Sequence, residues 1–156
     1  MAKKKTSARA EPMLAMAVVC EKVLKEDDSV FSAIRIIDIV KVPKEAIATI
    51  PKDGILGLPY VIVAIFKSNG FKGDKHLRID LITPSKRRHP VFGSKLTFTG
   101  VPETGANIAL PVYLKLDAEG LYWFDVFLDN KRFAHIPLRL ELIEPKPPQA
   151  TMTGKK

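Results

Sequence analysis

The chain has 156 residues, 46% apolar and 27% charged, with a formal charge of +8. That size suits one domain that buries a core without covalent staples, and one cysteine excludes an intramolecular disulfide. The early apolar run, Met13 to Val19, is far shorter than the roughly 20 residues a membrane-spanning helix needs.

The N-terminus, MAKKKTSARAEP, has the basic start of a signal peptide, but its apolar run ends at once in Cys20, Glu21 and Lys22. MLAMA is the nearest approach to a cleavage site, and it does not follow a proper apolar core. Cytoplasmic residence is expected. Residues 1–12 hold Lys3, Lys4, Lys5 and Arg9 against Glu11, and residues 145–156 hold Lys146, Lys155 and Lys156. The stretch between, 13–144, has 18 basic and 16 acidic residues, so the excess charge sits mainly at the ends. Both ends lack an apolar period and read as disordered basic tails flanking a single domain over 13–144.

Eight extended stretches follow in order: 13–24, 29–42, 59–68, 75–83, 91–99, 107–116, 120–128 and 132–143. Turn signals such as KEDDS, SNGFKGDK, PSKRRHP, VPETGAN, DAEG and DNKR separate them, the spacing of an all-β chain. The only helical candidate, PKEAIATI at 43–50, allows one or two turns, with Pro43 suited to its start. Cys20 follows Ala17, Val18 and Val19 and reads as a buried thiol. YVIVAIF, 60–66, is apolar on both faces and belongs to a central or covered strand. IALPVYLKL turns Ile108, Leu110, Val112, Leu114 and Leu116 inward, and the last strand does the same with Ala134, Ile136, Leu138, Leu140 and Leu142. Pro111 and Pro137 cannot donate to a ladder, which places each at an edge or a bulge. Edges favour a two-sheet antiparallel sandwich of about eight strands over a closed barrel.

Four stretches carry a resemblance: AVVCEKVLKEDDSVFSAIRIIDIVKVP, LPYVIVAIF, HLRIDLITPSKRRHPVF and GLYWFDVFLDNKRFAHIPLRLEL. Together they resemble a family of small, uncharacterised bacterial and phage β-sandwich proteins of immunoglobulin-like or C2-like type. The resemblance covers roughly residues 13–143. It implies a fold and supplies no functional residues.

No catalytic set stands out. Cys20 sits in an apolar strand beside Glu21, an environment that suppresses the thiolate. His76, His89 and His135 lack the short spacing of metal ligands, and the glycine pairs are turn chemistry without a phosphate loop. The chain is read as a non-enzyme without cofactor or metal.

If every stretch crosses the sandwich once, KEDDS, SNGFKGDK, VPETGAN and DNKR share one end. That end would gather Glu26, Asp27, Asp28, Asp74, Glu103 and Asp129, resembling the calcium mouth of C2 domains. Lys25, Lys72, Lys75, Lys131 and Arg132 are interleaved, so a solvated mixed-charge end is expected. The opposite end gathers 43–58, DAEG and PSKRRHP, whose Lys86, Arg87, Arg88 and His89 form the densest basic cluster outside the tails. That cluster suits a phosphate or an acidic protein surface. On strand 120–128, Tyr122, Phe124, Val126 and Leu128 share one face while Trp123 and Phe127 share the other. Trp123 and Phe127 therefore form either an exposed binding patch or a surface covered by 43–58. The function expected is a binding or adaptor module for a protein partner. The alternative is a nucleic-acid-associated protein using the tails and residues 86–89 against phosphate.

Overall fold

The computed structural model describes residues 10–25, 30–52 and 54–144; residues 1–9 of the expected N-terminal tail 1–12, the whole expected tail 145–156, and residues 26–29 and 53 lie outside the described residues. Among the described residues, nine strands and one short helix follow in chain order: β1 (Met13–Lys25), β2 (Phe31–Ile36), β3 (Ile39–Pro43), α1 (Lys44–Ala48), β4 (Ile55–Lys67), β5 (Lys72–Ile82), β6 (Arg88–Thr99), β7 (Gly105–Lys115), β8 (Gly120–Leu128) and β9 (Lys131–Ile143). They form two sheets, a four-stranded one in the order β2-β1-β4-β7 and a five-stranded one in the order β3-β9-β8-β5-β6. Both sheets feed one core, with Ile62, Phe66, Val112 and Leu114 from the first and Leu77, Ile79, Tyr122, Phe124 and Leu138 from the second.

The structure departs from the expected arrangement in three ways. The stretch 29–42 is two strands rather than one, broken at Ile37 and Asp38, so nine strands replace about eight. β3 runs parallel to β9, with Ile39 opposite Arg139 and Pro43 opposite Ile143, so the five-stranded sheet is not wholly antiparallel. The third departure follows from the break. β2 and β3 each travel only part of the way across, so the chain returns to the end from which it came. Lys25 pairs with Phe31, and β1 is antiparallel to β4 with Cys20 opposite Val61, which puts Lys25 at the Ile55 end. β1 therefore ends on the side opposite Asp74 and Asp129, while Glu26, Asp27 and Asp28 themselves lie outside the described residues. At the Asp129 end, Lys75 pairs with Asp129 at 2.7 Å and Lys95 with Asp74 at 3.1 Å, the mixed-charge arrangement expected there.

Other expectations hold. β4, with its doubly apolar run, lies between β1 and β7. Pro111 is on the edge strand β7, opposite a bulge in β4. β9 is flanked on both sides, yet β3 begins pairing only at Arg139, so that flank is open at Pro137. Cys20 is buried and free, and burial raises its thiol pKa. α1 is a single turn. Ala10 to Pro12 are docked rather than part of a tail: Pro12 is buried, Asn69 donates to the Glu11 carbonyl at 3.1 Å, and Lys131 pairs with the Glu11 carboxylate. Among the described residues no helix is long and apolar enough to cross a membrane.

Candidate functional site: the outer face of the five-stranded sheet

On β8 the core face takes Tyr122, Phe124, Val126 and Leu128, so alternation turns Trp123, Asp125 and Phe127 to the opposite, outer face. The register then sets their neighbours. Asp125 lies directly between Asp80 of β5 and His135 of β9, and Phe127 lies between Arg78 and Arg132. Asp80 is opposite Pro90 on β6, where a register shift displaces the edge strand, and Arg88 begins that strand.

Two carboxylates directly opposite each other on one sheet face repel, and both are buried, with side-chain exposures of 4% for Asp80 and 0% for Asp125. Leaving water costs each ion several kcal/mol unless cations and hydrogen bonds compensate. Arg88 bridges them, donating from Nη1 to Asp80 Oδ2 at 2.7 Å and from Nη2 to Asp125 Oδ2 at 3.3 Å. The hydrogen bond to Asp80 is the main cause of the raised Arg88 pKa. Arg132 Nη1 lies 3.5 Å from Asp125 Oδ1, and His135 Nδ1 lies 2.5 Å from the same oxygen. Arg78 Nε is 3.2 Å from Asp80 Oδ2 but off the line of a hydrogen bond, so that contact is electrostatic only.

The aromatic residues complete the face. The Arg78 guanidinium lies 4.4 Å from the Phe127 ring centre and that of Arg88 lies 5.7 Å away. Trp123 stacks on His135 with centroids 3.8 Å apart and planes 7° from parallel. The His135 imidazole is thus fixed by Asp125 at its edge and by Trp123 across its face. Arginine side chains that are 41%, 48% and 52% exposed surround the buried acids, so the face presents cationic groups of fixed orientation beside flat apolar rings.

The expected basic cluster at 86–89 does not form one patch. Lys86 is exposed, with a left-handed φ of 66°, at the tip of a turn closed by its N–H donating to Thr83 O at 2.9 Å. Arg87 turns to Asp117, with Nη2 2.9 Å from Oδ1, while the Ser85 N–H donates to Oδ2 at 2.8 Å. The hydrogen bonds from Ser85, then Thr83 and Arg87, hold the Asp117 carboxyl well below the usual range. Arg88 belongs to the outer face, and His89 to the core face, opposite Leu81. Strand alternation disperses what looked contiguous in sequence. Trp123 and Phe127 are neither bare nor roofed by 43–58. They are covered by His135 and the arginines, while Ile47, Ile50 and Lys52 gather near Arg87, Leu116 and Asp117 at the end of the molecule.

Arg78, Asp80, Asp125, Arg132 and His135 were not among the binding residues expected from sequence. Their signal was present as charges on the outward positions of apolar strands, in HLRIDLI and YWFDVF. Their convergence depends on strand order, which alternation does not contain. Among the described residues no group of three or more histidine, cysteine or acidic side chains is placed to hold a metal ion.

No family model matches the sequence. No curated protein matches it either. Among solved structures, the chain is similar over 86% of its length to the Pseudomonas fluorescens alkylpurine DNA glycosylase AlkC bound to DNA containing an abasic site analog, at 9% identity and a TM-score of 0.44. It spans about a third of that chain, 31%. It is also similar over 86% of its length, and 100% of the other chain, to an immunoglobulin-like protein from Pseudomonas aeruginosa, at 14% identity and a TM-score of 0.36. Likeness at this level carries no argument about function.

Proposed function

We propose that this chain is a non-enzymatic binding module, an immunoglobulin-like sandwich of two sheets that engages an acidic protein partner through the outer face of the five-stranded sheet. The observation that carries this reading is the placement of Arg78, Arg88 and Arg132, half-exposed, around two buried carboxylates and beside Trp123 and Phe127. Arginine and tryptophan dominate interface hot spots because each offers a large, orientable contact at modest entropic cost. Here their side chains are fixed before any partner arrives, so less order remains to be imposed on binding. The carboxylates beneath are committed to guanidiniums, an arrangement suited to holding a shape.

The test compares the parent with Arg78→Ala/Arg132→Ala, which spares the bridging Arg88. Each is titrated with acidic and charge-neutral peptides, and with generic DNA and RNA, at two salt concentrations. The expected result is binding of acidic peptides, weakened at least tenfold in the double variant. Nucleic-acid binding that falls steeply with salt and exceeds peptide binding would overturn the protein-partner reading in favour of phosphate recognition.

A further inference from the structure

We infer that the groove between the free edges of the two sheets is a binding site for a small anionic amphiphile, an aliphatic monocarboxylate of medium chain length, with His89 and Lys115 receiving its head group. β6 is the outermost strand of one sheet and β7 of the other. The turn joining them closes one end, where the Thr99 and Thr104 hydroxyls lie 2.7 Å apart. Toward Arg88 and Lys115 the groove stays open. A space of about 260 Å3 is lined there by Leu81, His89, Val91, Tyr113 and Lys115 with Ile55. A second space of about 150 Å3, which shares Val91 and Tyr113, continues against Ile62, Ile79 and Leu110 of the core. The pair has the size and apolar lining of a modest small-molecule site.

Two observations identify the head group. His89 Nε2 is buried and has no hydrogen-bond partner among the described residues, although His89 stands on the core face of its strand. A buried polar atom without a partner is unfavourable, and a ligand oxygen would relieve it. With Nε2 carrying the proton, the ring donates to a carboxylate. Lys115, opposite Ile55 on β4, brings an ammonium to the same mouth, so the polar part of the lining favours a negative head. The apolar part is already exposed to water: Ile55 is 65%, Tyr113 49% and Val91 36% exposed. A chain laid along it would cover all three.

The same geometry disfavours an added β-strand, including an edge of a second copy. Such a strand needs backbone donors along the rim, and Pro90 on one side and Pro111 on the other each lack an N–H.

The experiment titrates the full chain with decanoate, kept below its micelle concentration, by calorimetry, with decyltrimethylammonium and acetate as comparisons. Saturable one-to-one binding of decanoate is expected, at least tenfold tighter than the cationic analogue, with no detectable acetate binding. His89→Phe, which keeps an aromatic ring but removes the donor, should weaken decanoate at least fivefold, and so should the surface change Lys115→Met, which leaves the core untouched. Arg78→Ala/Arg132→Ala should bind decanoate like the parent, which separates this site from the outer face. Failure to saturate, equal binding of the cationic analogue, or unchanged affinity in both His89→Phe and Lys115→Met would overturn the assignment.

Discussion

Asp125 has no exposed surface and meets Arg88, Arg132 and His135, while Asp80 meets Arg78 and Arg88. Arg88 is the only one of these cations that touches both acids with hydrogen-bond geometry. Removing it leaves two facing carboxylates short of a shared counter-charge. Breaking a buried ion pair costs about 3–5 kcal/mol, and the half-exposed guanidinium lowers this to about 2–3 kcal/mol for Arg88→Ala. Arg78→Ala and Arg132→Ala, whose contacts are longer or misaligned, should each cost about 1 kcal/mol or less. Urea unfolding of the three variants checks the order. Arg88→Ala combined with Asp80→Asn and Asp125→Asn should recover much of the loss, because the repulsion is then gone. Equal losses for all three arginines would show that the network has no central member.

At the scale of elements, β3 is the strand whose attachment is most easily isolated. It is five residues long, pairs only with β9, and contributes Val40 and Val42 to the core. The Arg139 N–H donates to Asp38 O at 2.8 Å at the start of that ladder. Val40→Ala removes two buried methyl groups and should cost about 2 kcal/mol. If β3 opens as a unit, amide exchange at Arg139 should accelerate in this variant more than at β8 positions such as Phe124. Uniform acceleration throughout the sheet would show that β3 opens only with the whole domain. This element also marks how far the sequence could be read. Alternation, turn residues and the two prolines revealed the β class, the central position of β4, and the hairpin of β8 and β9. They did not reveal the break at Ile37 and Asp38, because RIIDIV carries no glycine or proline and apolar residues flank its one acid. That unseen reversal returns the chain toward the end at which β1 finishes and makes β3 parallel to β9. The outer-face site was hidden for a related reason: Asp80 and Asp125 are 45 positions apart and meet only through cross-strand register.

Acidification tests the molecule as a whole, because the resolved carboxyl shifts all run in one direction. Glu11, Asp74, Asp117 and Asp129 are all lowered, chiefly by Lys131, Thr97, Ser85 and the His76 N–H respectively. A carboxyl lowered in the folded state binds fewer protons than in the unfolded chain. Its stabilisation is therefore present above the ordinary carboxylate pKa and lost as pH falls through the folded value. The alkaline limb has the opposite cause. Burial raises Cys20 and Tyr122, so above their ordinary values the unfolded chain releases protons that the folded one retains, and stability falls as pH rises. Thermal unfolding should therefore show a plateau between about pH 5 and 8, a decline below about pH 4 and another above about pH 9. Two variants apportion the limbs. Asp117 is tied by Ser85 and Arg87 into the turn that positions Arg88, so Asp117→Asn should cost about 1–2 kcal/mol at pH 7. That deficit should shrink steadily below pH 4, where the unfolded parent takes up a proton at Asp117 that the folded parent, its carboxyl held low, does not yet bind. Cys20→Ala should leave the acid limb unchanged and flatten the alkaline one. A deficit in Asp117→Asn that stays constant down to pH 2 would mean that its hydrogen bonds do not depend on charge.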